Sequence, residues 1–365
     1  MKRVFIQTNI PVPYKVDFYN ELGKKCDLTV VFEARRIGNQ QFNWNDENSY
    51  NFKAIYLNDY LDEHKMNLRI LEFLSRDKFD IFVVAAFHTF TGQLALWILK
   101  AKNIPYSFET DGAFIPAKEN ILKHYYKKKL ISNAKKYLSP SKISDKYLEY
   151  YGANSLCIYR YPFASTLSSE VLKRPLDNKE KNILREKYEI KEKNVVIAVG
   201  QFIERKGFDI LIKALAQMDI SNVGCYIIGG KPTEEYLELT ESLNLNNIHF
   251  LPFQDRKTLS DYYQLSDVFV LPTREDIWGL VVNEAMANGL PVITTDNCNA
   301  GLAMVSDKNG AVVPVESVDK LAQALEMILS ETHKKQQMGK ESLDIIKNYT
   351  IEKMAEIHAK ILLNE

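Results

Sequence analysis

The 365-residue chain is long enough for two domains that each bury a core, and its 26% charged and 46% apolar residues are those of an ordinary globular protein. Lysine plus arginine equals aspartate plus glutamate at 47 each, so no global charge argues for nucleic acid and any phosphate recognition has to be local. Cys26, Cys157, Cys225 and Cys298 are scattered without a C-x-x-C pair, which excludes a zinc ribbon and predicts free thiols in a reducing compartment.

Short apolar runs alternate with amphipathic segments along the whole chain. The N-terminus, MKRVFIQTNIPVPY, turns polar after one strand-like run and does not read as a signal peptide. RVFIQT, DLTVVF, DIFVVA, IPYSF and KKYLSP are predicted strands. Helices are expected around Val16–Lys25, Leu61–Arg76, Gly92–Lys102 and Ile121–Asn133. Ile81 to Leu99 holds no charged residue and has nearly the length of a membrane span, but H-T-F-T-G-Q interrupts it and predicts strand, turn, helix instead. In the second half NVVIAV, VGCYII, NIHFL, DVFVLP and PVITT are predicted strands. Helices are expected around Phe208–Met218, Glu234–Leu243, Lys257–Leu265 and Val281–Asn288.

Apolar strands alternating with helices predict parallel sheets covered on both faces. A polar, turn-prone linker is expected near Pro162–Lys181. The expected division is residues 1–165, residues 166–347, and a C-terminal helix in 348–365 packing back toward the first domain. Two doubly wound α/β domains would then face a central cleft, with ligand at the carboxyl ends of their strands.

The first strand of the second half runs into V-G-Q-F-I-E-R-K-G and then a helix, a strand–turn–helix arrangement suited to an anion. Gly200 permits the tight turn, Arg205 offers a fork for phosphate and Lys206 a mobile point charge. Taken alone, the pair reads equally well as a solvated surface dipeptide. No G-x-G-x-x-G follows either first strand, which disfavours a dinucleotide dehydrogenase. Gly229-Gly230-Lys231 looks like the end of a P-loop, but Cys225 and Pro232 stand where that motif needs glycine and a hydroxyl.

The most specific segment is V-L-P-T-R-E-D-I-W-G-L-V-V-N-E-A-M-A-N-G-L-P-V-I, Val270 to Ile293. Here the chain resembles the retaining, GT-B-fold glycosyltransferases of family 4 (glycosyl transferases group 1), whose mark is two acidic residues separated by seven. Asp276 takes the first acidic position and Glu284 the second, Trp278-Gly279-Leu280 stands for F-G-L, and Arg205-Lys206-Gly207 matches the preceding R-K-G element. The match covers the second domain in order and spacing and is weak over the first. It implies a UDP- or GDP-linked sugar donor, no metal and no further cofactor. It also implies that Glu284 binds the ribose, Asp276 the sugar hydroxyls, and backbone N–H groups around Trp278, Gly279, Leu280 and Val281 the sugar or diphosphate. Arg205 and Lys206 would stabilise the charge developing on the leaving group. The chain departs from the family in three places: Asp276 is one methylene shorter than the usual glutamate, Gln201 replaces a frequent arginine, and T-N-I-P-V-P-Y-K lacks a double glycine.

Family members often carry a histidine at a first-domain strand end. The comparable stretch here, I-P-Y-S-F-E-T-D-G-A-F, offers Glu109 and Asp111 to assist an acceptor hydroxyl or an oxocarbenium-like transition state, although Asp111-Gly112 also reads as a simple turn. His88 is the other candidate, with a structural histidine the commoner reading. Lys118–Lys142 holds eight lysines and one acid among tyrosines and leucines, which reads as a solvated basic helix or as a surface for anionic lipid. The resemblance implies a cytoplasmic enzyme, peripheral on the inner face of the plasma membrane, that elongates a glycan or lipid-linked glycan in surface polysaccharide synthesis. The alternatives are a GT-B sugar-nucleotide epimerase, a phosphorylase, or a donor-binding protein without activity.

Overall fold

The computed structural model describes residues 1–36, 50–219 and 221–364. They form two compact units, residues 1–165 with 350–365, and residues 166–349. The first unit runs β1 (Arg3–Thr8), α1 (Pro13–Gly23), β2 (Asp27–Arg36), β3 (Lys53–Tyr60), β4 (Ile81–Val84), α2 (Phe90–Ala101), β5 (Ser107–Glu109), α3 (Ile121–Ile131), β6 (Lys136–Ser139), α4 (Lys142–Tyr150) and β7 (Ile158–Arg160). Its described strands pair in parallel in the order β3-β2-β1-β4-β5-β6-β7. Phe5, Phe82, Val84 and Phe108 on the strands pack against Leu96 and Leu99 of α2 to build this unit's core. Each fully buried side chain of this kind contributes roughly 1.5–3 kcal/mol relative to exposure.

The second unit runs α5 (Asn178–Lys187), β8 (Asn194–Val199), α6 (Phe208–Leu215), β9 (Val223–Ile228), α7 (Glu234–Ser242), β10 (Ile248–Leu251), α8 (Arg256–Leu265), β11 (Val268–Leu271), α9 (Leu280–Ala287), β12 (Val292–Thr295), α10 (Asn299–Met304), β13 (Gly310–Val313), α11 (Val318–Leu329) and α12 (Thr332–Ile346). Its strand order, β10-β9-β8-β11-β12-β13, is again parallel throughout. The strand order of each sheet switches at one point, between β1 and β4 and between β8 and β11. Chain connections diverge there and leave room at the strands' carboxyl ends. The final helix, α13 (Ile351–Leu363), belongs to the first unit, where the Phe18 ring of α1 lies 4.7 Å from that of His358.

Two expectations need correction. The helix expected over Leu61–Arg76 is only a short 3₁₀ turn, Leu68–Glu72. Asn67 explains the difference: its side chain accepts from the Arg69 N–H and donates to the Leu57 carbonyl, and its own N–H donates to Thr91 Oγ1. Those bonds tie the backbone sideways and interrupt a helical ladder. The linker ends sooner than Lys181, because Asp177 caps α5 by accepting from the Lys179 and Glu180 N–H groups while Glu180 reaches back to the Asp177 N–H. The segment from Ile81 to Leu99 is strand, turn and helix as read, with Thr89 capping α2 through the Gly92 N–H. Among the described residues no helix is long and apolar enough to cross a membrane.

Candidate functional site

In the second unit the chemistry gathers at the β8/β11 switch point. After β8 the chain passes Gly200 and makes a 3₁₀ turn at Glu204–Lys206 that ends at Gly207, whose φ is 67°. A Cβ there would lie 2.1 Å from the Pro272 carbonyl oxygen, so only glycine lets this turn rest against the loop leaving β11. That contact brings three predicted residues together. Lys206 Nζ donates to Asp276 Oδ2 at 2.6 Å, and Arg205 Nη1 lies 3.8 Å from the same oxygen while donating to the Glu275 carbonyl at 2.6 Å. Lys206 and Asp276 are 13% and 9% exposed against 45% for Arg205. The lysine charge is therefore compensated by a carboxylate, and the guanidinium is the one offered to solvent.

The same loop leads into α9 through Gly279, at φ 96°, where a Cβ would lie 2.9 Å from Cys298 Sγ. The N–H groups of Gly279 and Val281 precede the helical ladder and have no acceptor within α9. Trp278 is fully buried, its Nε1 donates to Asn283 Oδ1 at 2.9 Å and its carbonyl accepts from the Ala300 N–H at 2.8 Å, so the residue is core. Glu284, one turn into α9, is half-buried and accepts from the Tyr263 hydroxyl at 3.1 Å. Burial pushes its carboxyl up to about 7, with the Tyr263 bond only partly opposing.

In the first unit the structure separates the two carboxylates of the Glu109-Thr110-Asp111 stretch. Glu109 is buried at the end of β5 and sits 3.3 Å from Nε2 of His358 on α13, whose Nδ1 is 2.8 Å from the Met354 carbonyl. Nδ1 donates to that carbonyl, so the contact between Nε2 and Glu109 requires one shared proton. Asp111 faces Lys15, with Oδ2 3.7 Å from Nζ, and Nζ also donates to Thr8 Oγ1 and Asn9 Oδ1 at 3.1 and 2.9 Å. Burial raises the Asp111 carboxyl above its ordinary value against the pull of Lys15. His88 shares this neighbourhood and pairs with Glu63 at 3.7 Å, while burial lowers its imidazole.

Sequence reasoning missed Lys15, His358 and Tyr263. Lys15 left one signal: a cation in the first turn of a helix opposes the helix dipole, and α1 begins at Pro13 with no acidic residue in that turn. Tyr263 and His358 left none, because each meets its carboxylate only through packing.

Within Lys118–Lys142, Glu119 engages Lys127 at 2.9 Å, His124 at 3.3 Å and the Tyr151 hydroxyl at 2.7 Å. Lys123, Lys128 and Lys129 remain exposed beside Ile121 and Leu122, which are 84% and 78% exposed. Among the described residues no group of three or more His, Cys, Asp or Glu is placed to hold a metal ion.

Residues 180–344 match the family model described as Glycosyl transferases group 1. That match covers nearly the whole of the second unit. The chain is similar to part of the D-inositol 3-phosphate glycosyltransferase of Corynebacterium diphtheriae, 31% identical over 166 residues, or 43% of this chain and 39% of that one. It is also similar to the lipopolysaccharide glucosyltransferase WaaG of Escherichia coli, 32% identical over 160 residues, or 42% of each chain. The chain thus spans under half the length of the curated relatives it matches. Over the whole chain, the solved structure of Anabaena Alr3699/HepE in complex with UDP superposes with a TM-score of 0.79, at 15% identity and 99% coverage of both chains. The fold is the GT-B fold, one chain with two Rossmann-like units.

Proposed function

We propose that this protein is a retaining, metal-independent glycosyltransferase that moves a sugar from a UDP- or GDP-linked donor to a glycan or lipid-linked glycan acceptor in surface polysaccharide synthesis. The observation that carries this reading is the Lys206–Asp276 pair at the switch point of the unit matched by the group 1 family model, with Arg205 exposed beside it and Glu284 on the following helix. A diphosphate leaving group competes with Asp276 for the Lys206 ammonium and takes the solvent-facing guanidinium of Arg205. The Asp276 carboxylate then accepts from sugar hydroxyls, and Glu284, held by Tyr263, meets the ribose. Charge grows on the leaving oxygen as the glycosidic bond breaks, and preorganised cations lower that barrier most. In the first unit Asp111, with Lys15 beside it, is the carboxyl that assists the acceptor hydroxyl. Glu109 sits deeper, against His358.

The solved HepE complex holds UDP, and the WaaG relative is named for lipopolysaccharide, which supports a nucleotide-sugar donor and a surface glycan product. The exposed lysines of α3 and their apolar neighbours fit an enzyme working on the inner face of the plasma membrane. A thermal-shift panel of UDP, GDP, ADP and their sugar conjugates tests the reading. Stabilisation by a nucleotide sugar, followed by transfer or slow donor hydrolysis, supports it. Turnover only with free phosphate and a glucan, donor epimerisation without acceptor, or binding with no turnover at all would replace it.

A further inference from the structure

Arg274 stands two residues before Asp276, and all three of its side-chain nitrogens are engaged. Nη1 donates to the Glu204 carbonyl at 2.6 Å and to Asp209 Oδ1 at 2.9 Å, Nη2 to Asp209 Oδ2 at 3.0 Å, and Nε to Glu316 Oε1 at 2.9 Å. Its backbone N–H donates to the Arg205 carbonyl at 2.8 Å, and its own carbonyl accepts from Asn297 Nδ2 at 2.6 Å. The neighbouring Thr273 hydroxyl lies 2.9 Å from the carbonyls of both Arg205 and Glu275. The hydrogen bond to Asp209 holds the guanidinium firmly charged. Burial works to raise the Asp209 carboxyl, yet the Arg274 fork overrides it and keeps that carboxyl below its ordinary range.

We infer that Arg274 is a positioning residue for the transfer reaction. It clamps the Glu204–Lys206 turn onto the Pro272–Asp276 loop, so that Arg205 and Lys206 are presented at a set distance from Asp276. The inference rests on the reading of those three residues as the donor site. The clamp is geometric. One planar side chain satisfies a carbonyl of the turn, a carboxylate at the start of α6 and a carboxylate beyond β13, which a lysine with a single nitrogen does not do. Its grip falls on the carbonyls of Glu204 and Arg205, directly before Lys206. Loosening it lets the two cations drift relative to the reacting bond, and misplacement of about 1 Å is enough to cost on the order of 10²-fold in rate.

Arg274→Lys keeps the charge and loses the fork. It should lower kcat by roughly 10–10²-fold, with donor KM changing far less than kcat and with calorimetric affinity for the nucleosides uridine and guanosine unchanged, since Glu284 and Tyr263 are untouched. Asp209→Asn should reproduce the loss, and the double variant should be no worse than the poorer single one. A folded Arg274→Lys with kcat near wild type, or a multiplicative loss in the double variant, overturns the clamp. Hydrogen exchange supplies a readout that needs no activity. Amides of residues 204–207 and 274–276 should exchange faster in Arg274→Lys while β8 and β11 stay protected. Unchanged exchange refutes the clamp even in an active enzyme, whereas a wild type that transfers no sugar, with the exchange difference present, refutes only the proposed function.

Discussion

Removing the ammonium of Lys206 tests the site most directly, because the structure assigns it two separable consequences. Its Nζ lies 2.6 Å from Asp276 Oδ2, and both side chains are largely withdrawn from water. At an effective dielectric of about 20 the gross attraction at that distance is roughly 6 kcal/mol, and removing one partner of a buried pair costs about 3–5 kcal/mol because the other charge stays behind. With some solvent still reaching both groups, Lys206→Ala should destabilise the unit by about 3 kcal/mol, or roughly 6–12 °C in Tm for its size. It should also lower kcat by about 10²–10³, the loss expected when one preorganised charge contact at a leaving group disappears. The Lys206→Ala/Asp276→Asn double variant separates these effects. Neutralising the stranded carboxylate should restore most of the Tm while kcat stays low. Calorimetric melting and steady-state kinetics on the same preparations decide the matter. Near-normal kcat in Lys206→Ala refutes the leaving-group role, and a double variant no more stable than Lys206→Ala refutes the ion-pair argument.

Glu284→Gln should weaken free-nucleotide binding in calorimetry, whereas Asp276→Asn should spare it and impair use of the full donor; equal losses would contradict the division of roles. The Glu284 carboxyl sits near 7 when folded and lower when unfolded, so its contribution to stability falls as pH rises from the ordinary carboxyl range to about 7 and levels off above. Glu284→Gln should therefore raise Tm at pH 8 more than at pH 5, and no pH-dependent difference would refute the burial argument. An α-linked donor should give an α-linked product by anomeric proton coupling, and a β product would exclude retention. Replacing the exposed Lys123, Lys128 and Lys129 with glutamate should abolish salt-sensitive co-sedimentation with anionic vesicles and leave donor hydrolysis intact. Lys127 is spared because it is tied to Glu119. Equal sedimentation with neutral vesicles, or none with either, would return α3 to a solvated helix.

Most of the fold was legible in the sequence because its signals are local. Apolar runs such as NVVIAV and DVFVLP read as buried parallel strands since both faces of each are covered, and the glycines at 200, 207 and 279 mark where strand gives way to helix. Strands β3 and β7 escaped because they lie at the edges of the first sheet, where Lys53–Tyr60 and Ile158–Arg160 carry exposed and half-exposed residues. Strand β13, Gly310–Val313, escaped because it opens on glycine and alanine, which carry little strand signal, and lies at the edge of the second sheet.

The sequence by itself also placed Arg205, Lys206, Asp276 and Glu284 in one ordered pattern of residue types. Which charge neutralises which was decided only by the tertiary structure. Lys206 and Asp276 are 70 residues apart, Arg274 and Asp209 are 65, and Glu109 and His358 are 249. Such pairs exist because strand order and loop approach bring distant segments within hydrogen-bond range, a three-dimensional fact with no period or spacing to announce it. The same packing turned the Trp278 ring into core, drew Glu109 toward the C-terminal helix and set Lys15 beside Asp111. Residue chemistry is written locally, whereas a site's electrostatics depend on partners that only the folded sheet brings together.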